Sequence, residues 1–291
     1  MCNEETVKDD EKFLRERGLT RRSFNASATG AALSMMLPSV ANAMDIVDED
    51  VVVETPDGLA DCYFIRPAEG SHAGVIIWPD IKGIRPSFRM MGRRLAESGY
   101  STLVVNPYYR TAKGEVIEDG ESFGDPVVRE KLMPHALSLS PETCVSDGRA
   151  FVKYLDAQPA VDTSRKIGTT GYCMTGSYTM RMAADMPDRI GAGGSFHGGG
   201  LATDEDSSPH LLAPQIKAGL LIAIADNDDE NDPNAKVLLR KAFDDAGVDA
   251  EVEVYEGALH GWCTTDADVY NEVQAERAWS RLLVLFAKEL A

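Results

Sequence analysis

The feature that most constrains this chain is an alternation. From residue 51 onward, short apolar runs rich in β-branched residues alternate with segments of helical periodicity. Gly74-Val75-Ile76-Ile77-Trp78 is apolar without a break, as expected of a strand buried on both faces. The pattern predicts a helix over 88–98, stopped by Gly99, and then a strand over 101–105. Further helices are predicted over 141–155, 175–184, 234–246 and 269–290, and strands over 166–170, 190–196, 220–225 and 251–255. Parallel strands need crossover helices, so this order requires a mostly parallel sheet with helices on both faces. Only the opening departs: Val51–Val53 and Cys62–Ile65 read as an antiparallel pair turned at Pro56-Asp57-Gly58. Residues 111–140, with Gly114, Gly120, Gly124, Pro126 and Pro134, read as irregular.

Residues 1–43 read as an export signal and 44–291 as a single α/β domain. Thr20-Arg21-Arg22-Ser23-Phe24 resembles the twin-arginine consensus, a mild apolar stretch follows, and Ala41-Asn42-Ala43 offers a cleavage site. The expectation is a periplasmic or otherwise exported protein that meets the twin-arginine translocation machinery. Six acids balance six bases in this leader, so the formal charge of −18 belongs to residues 44–291. That charge argues against a nucleic-acid-binding face. Five scattered cysteines make neither a disulfide scaffold nor a CxxC pair.

Ligands of such sheets sit at the carboxyl ends of the strands. There, after the strand over 166–170, stands Gly171-Tyr172-Cys173-Met174-Thr175-Gly176, a strand–turn–helix with a thiol where the G-x-S-x-G elbow carries a hydroxyl. A helix N-terminus favours a thiolate at Cys173, and the following Met174 N–H can serve an oxyanion. A buried structural cysteine is the competing reading. The hydrolase order of nucleophile, acid and histidine then selects His260, after the strand over 251–255. The acid falls in Asp226-Asn227-Asp228-Asp229-Glu230-Asn231-Asp232-Pro233, with Asp228 the first choice and Asp226 the second. Asp232 before Pro233 looks like a helix cap, and the Gly and Glu positions of an EF-hand are absent. His72, His135, His197 and His210 have no place in the triad order. No ligand spacing implies a metal or organic cofactor.

These residues resemble the dienelactone hydrolase family, cysteine-using α/β hydrolases, over most of 51–290. Gly171–Gly176 is similar to the family's G-x-C-x-G-G, with Thr175 in place of a glycine. The resemblance implies an α/β-hydrolase fold and a triad of Cys173, Asp228 and His260. It also implies that Asp80, in Asp80-Ile81-Lys82-Gly83, holds the resting thiol where the family has glutamate, and that the Ile81 N–H joins Met174 in the oxyanion hole. By the same resemblance Arg110 binds a substrate carboxylate, with Trp262 also at the substrate. No arginine follows His260, so half of the family's two-arginine clamp is missing. The implied substrate is a small ester or lactone, cleaved through a thioester. A catalytically weak binding protein of the same fold, and an exported redox protein using Cys62, Cys144, Cys173 and Cys263, are the alternatives.

Overall fold

The computed structural model describes residues 43–291, so the twin-arginine motif and leader lie outside the described residues. Eight strands form one sheet in the order β1-β2-β4-β3-β5-β6-β7-β8. β1 (Ile46–Thr55) and β2 (Gly58–Pro67) pair antiparallel around the two-residue turn Pro56-Asp57, and β2 runs antiparallel to β4 (Ser101–Val105). β3 (Gly74–Trp78), β5 (Ile167–Tyr172), β6 (Ile190–Phe196), β7 (Gly219–Ala225) and β8 (Ala250–Tyr255) continue in parallel. This is the α/β-hydrolase fold.

Both faces are covered because each central strand buries both its odd and its even residues. Ile76 and Trp78 of β3 enter one core together with Leu220 and Ile222 of β7. Above that core lie α3 (Pro141–Asp156), α4 (Gly176–Asp185) and α6 (Ala235–Ala246), through Phe151, Tyr178 and Phe243. Val75 and Ile77 enter the opposite core, closed by Phe88 and Leu95 of α1 (Pro86–Glu97) and by Trp279, Leu282 and Phe286 of α7 (Glu272–Glu289). Burying a side chain of this size contributes roughly 1.5–3 kcal/mol, so the two cores fix the strands whose ends carry the site.

Three predicted elements are corrected. Residues 111–140 are not irregular throughout: α2 spans Pro126–Leu137. Its start is set by Asp125, whose carboxylate accepts the Val127 N–H at 2.8 Å, and by Pro126 in the first turn. Pro134 lies inside α2 and made the segment read as broken. The last helix begins at Glu272, three residues later than predicted, because Asn271 caps it through the Gln274 N–H at 3.2 Å. The acidic stretch after β7 contains a short helix, α5 (Asp226–Asn231).

Candidate active site

The tightest part of the molecule is the turn from β5 into α4. Cys173 has φ +57, a left-handed conformation that costs a non-glycine residue on the order of 1–2 kcal/mol and is held only by its surroundings. A Cβ on Gly171 would lie 2.1 Å from the Thr175 carbonyl oxygen, and one on Gly176 would lie 2.6 Å from the Gly198 Cα. Glycine at both positions is therefore a packing necessity. Thr175 has its own role. Its hydroxyl accepts the Tyr172 N–H at 2.9 Å and lies 2.9 Å from the Trp78 carbonyl, so it fastens the turn to the end of β3. A glycine there could do neither.

His260 reaches this turn from the loop after β8. Its Nδ1 lies 2.8 and 3.0 Å from the two Asp228 carboxylate oxygens, and its ring also hydrogen-bonds Cys173. The backbone N–H of His260 donates to Asn227 Oδ1 at 2.9 Å, so α5 orients both the ring and the main chain of the histidine loop. Asp226 is occupied elsewhere: its carboxylate accepts the Gly257 N–H at 2.7 Å. Geometry thus selects Asp228 over Asp226. Burial by itself would depress the proton affinity of His260, but the charges of Asp228 and of a Cys173 thiolate raise it well above its ordinary value.

The Ile81 and Met174 residues meet at one hydroxyl. Tyr108 donates to the Ile81 carbonyl at 2.9 Å and lies 3.7 Å from the Met174 sulfur. Tyr108 also joins Val116, Ile117, Val128 and Leu132 in a third, smaller apolar cluster on which Met174 packs. The segment carrying α2 therefore covers the turn, and Cys173 is only 2% exposed.

Three predicted site residues are placed differently. Asp80 does not hold the thiol: both its oxygens are engaged by Arg85, at 2.7 and 2.9 Å, and Oδ1 also accepts the Lys82 N–H at 2.9 Å. Arg110 is held by the protein's own acids. It makes four hydrogen bonds of 2.6–2.9 Å to Asp147 and Asp57 and lies over the Tyr109 ring. Trp262 is fully buried, stacked on Tyr255 at 5.3 Å and edge-on to His197 at 5.2 Å, so it supports the site from within the core. The four cysteines among the described residues are free thiols, and Cys263 lines a small pocket with Tyr172, Arg94 and Trp279 on the α1–α7 face.

Of the other histidines, His197 comes directly against His260. It is buried at the end of β6, has φ +40, and its ring centroid lies 4.8 Å from that of His260. Burial and the nearby His260 charge push its proton affinity well below the ordinary value, so it is neutral. Neither ring nitrogen has a hydrogen-bond partner on another of the described residues. A histidine followed by Gly198-Gly199-Gly200 at a strand's carboxyl end was the available sequence signal for it. His72 and His210 pair locally with Glu69 and Ser208, and His135 of α2 hydrogen-bonds Thr111 and lies 5.5 Å, centroid to centroid, from the Tyr108 ring.

The fold and this turn define an α/β hydrolase whose elbow carries a cysteine. The dienelactone hydrolase family model matches residues 60–290, and the chain belongs to that family of hydrolases. It is 26% identical over 245 residues to a Bradyrhizobium protein described as a 2-oxo-3-(5-oxofuran-2-ylidene)propanoate lactonase, covering 83% of this chain and 93% of the relative. A Synechocystis protein described as a carboxymethylenebutenolidase is 28% identical over 233 residues, covering 78% of this chain and 91% of the relative. A dienelactone hydrolase crystal structure from Klebsiella pneumoniae superposes with TM-score 0.71 at 22% identity, over 84% of this chain and 99% of that one.

Proposed function

We propose that the protein hydrolyses a small ester or lactone through a thioester on Cys173. The observation that carries this reading is the single file Cys173–His260–Asp228, in which one imidazole joins a strained, cysteine-bearing elbow to a carboxylate. His260 takes the thiol proton, and Asp228 holds the ring and offsets the imidazolium charge. The thiolate attacks the substrate carbonyl, whose oxygen becomes an anion received by the N–H groups of Ile81 and Met174. Collapse expels the alkoxide, which takes the proton from His260 and leaves the thioester. In a lactone the alkoxide remains tethered as a hydroxyl on the acyl chain. His260 then removes a proton from water, the hydroxide attacks the thioester, and the acid departs as Cys173 returns to the thiolate.

Esters and lactones fit a thiolate better than amides, since sulfur leaves the tetrahedral intermediate readily unless the other leaving group is protonated. The lactonase and butenolidase descriptions of the relatives support the same class. A panel of small esters and lactones, followed by intact-mass measurement, tests the reading. A mass increase equal to the substrate less its alcohol is expected for an ester, and equal to the whole substrate for a lactone, with both the adduct and turnover lost in Cys173→Ala. Turnover that survives that substitution would overturn it. We further propose export through the twin-arginine route: Arg21→Lys with Arg22→Lys should leave the chain uncleaved in the cytoplasm, and normal export of that double variant would refute it.

A further inference from the structure

Four charged side chains bridge two loops above the sheet. Asp80, Lys82 and Arg85 belong to the loop after β3, and Asp266 belongs to the loop between His260 and α7. Between β3 and β8 the sheet places β5, β6 and β7, so the two loops are joined only by tertiary contact. Arg85 Nε donates to Asp266 at 2.6 Å and one terminal nitrogen reaches the other Asp266 oxygen at 3.2 Å. The rest of the guanidinium serves Asp80 and the Gly83 carbonyl at 2.7–3.0 Å, which places all five of its N–H donors. Lys82 Nζ donates to Asp266 at 2.8 Å. Arg85 is buried and lies over the Phe88 ring.

Ile81 sits inside this cluster. The peptide unit that follows it is held at both ends: its carbonyl accepts the Tyr108 hydroxyl and its N–H, that of Lys82, donates to Asp80. Asp80 is in turn fixed by Arg85, and Arg85 by Asp266. Two acids and two bases make the group neutral, which keeps the interior cost of the charges low. Burial alone would raise the proton affinity of Asp266, but the Arg85 and Lys82 charges hold it far below the usual carboxylate range.

We infer that Asp266 is a positioning residue: it clamps the Asp80–Arg85 loop to the histidine loop and so fixes the Ile81 N–H relative to Cys173 and His260. The clamp rests on the hydrolase reading above, because an oxyanion donor matters only where an oxyanion forms. It also accounts for Asp80. Held by Arg85, which Asp266 anchors in turn, this carboxylate orders the oxyanion loop instead of holding the thiol.

Asp266→Asn keeps the side-chain size and removes the charge. The test combines amide hydrogen exchange of segment 79–84 with kcat and KM on an ester that the wild-type protein hydrolyses. Exchange in that segment should rise about tenfold or more while β3 and β5 stay protected. kcat should fall about 10²-fold, the usual loss for one oxyanion donor, with KM nearly unchanged because the donor acts only in the transition state. Lys82→Met, which removes the ammonium contacts to the Asp266 carboxylate and carbonyl and leaves Arg85 in place, should give a smaller change in the same two readouts. Unchanged exchange, a uniform rise across the sheet, or raised exchange with unchanged kcat would overturn the clamp. Absence of any Cys173-dependent turnover in the wild-type protein would instead refute the hydrolase reading, and the exchange arm would then decide the clamp by itself.

Discussion

Arg85 and Arg110 are each held between two aspartates, yet they do different things. Arg85 joins the loop after β3 to the histidine loop, through Asp80 and Asp266, at the end of the sheet where the thiol lies. Arg110 joins the β1–β2 turn to α3 through Asp57 and Asp147, and Tyr109 adds bonds to Asp147 and Thr55. The lesson concerns donors. A guanidinium binds a substrate carboxylate with the N–H groups it has to spare; Arg85 has all five engaged, on Asp80, Asp266 and the Gly83 carbonyl, and Arg110 has four of its five on Asp57 and Asp147. One network therefore joins the loop after β3 to the loop that carries His260, and the other ties the antiparallel corner to the body of the fold.

The comparison breaks if activity follows the Arg110 corner. The largest expected effect lies at the elbow: Cys173→Ala should reduce kcat by about 10⁶-fold with little change in unfolding midpoint, as for removal of a nucleophile from a triad. Retained turnover in steady-state assays would move the chemistry elsewhere. Next comes Asp228→Asn, expected to lower kcat by about 10³–10⁴-fold by releasing the imidazole. It should also move the pH midpoint of iodoacetamide alkylation at Cys173 upward, since the imidazolium that favours the thiolate loses its counter-charge.

The same variant tests the sign of the His260 effect. His260 in the folded protein holds its proton above the ordinary value of 6.5. The stability this contributes is complete below pH 6.5 and is lost as the pH rises through the raised folded value. The gap in urea-unfolding free energy between wild type and Asp228→Asn should therefore narrow toward alkaline pH.

Arg110→Met sharpens the contrast between the corners. Asp147 is 2% exposed at its side chain, so removing its partner leaves a buried carboxylate uncompensated and should cost about 3 kcal/mol in denaturant unfolding. kcat/KM per folded molecule should not change, for neutral and anionic esters alike. A selective loss on anionic esters would restore Arg110 to the substrate. Asp57→Asn should have the smallest effect, under about 1 kcal/mol, because Asp57 is half exposed and water replaces what is lost.

The strands were legible because burial on both faces leaves a continuous apolar run, and Ile190–Phe196 was read with its observed bounds. The elbow was legible because glycines at 171 and 176 have no substitute in so close a packing. α2 was not legible: Pro134 and the surrounding glycines read as breakers, while a cap and the third apolar cluster hold the helix. Arg110 and Asp80 were misread for one reason. Their types and positions agreed with the resemblance, but Asp57 and Asp147, which occupy Arg110, are distant in sequence, and Arg85, which occupies Asp80 from five residues away, lies in a loop without a motif.

The sequence by itself determined the order of strands and helices, the sharp cysteine turn and the succession of Cys173, an acid of the 226–233 stretch and His260, because these depend on local periodicity, backbone sterics and chain order. Only the tertiary structure decided between Asp226 and Asp228, brought His197 against His260, and closed Arg85 and Arg110 on the protein's own carboxylates. Those outcomes depend on which side chains meet within hydrogen-bond reach after the sheet has assembled, and a charge finds its nearest partner in space, not along the chain.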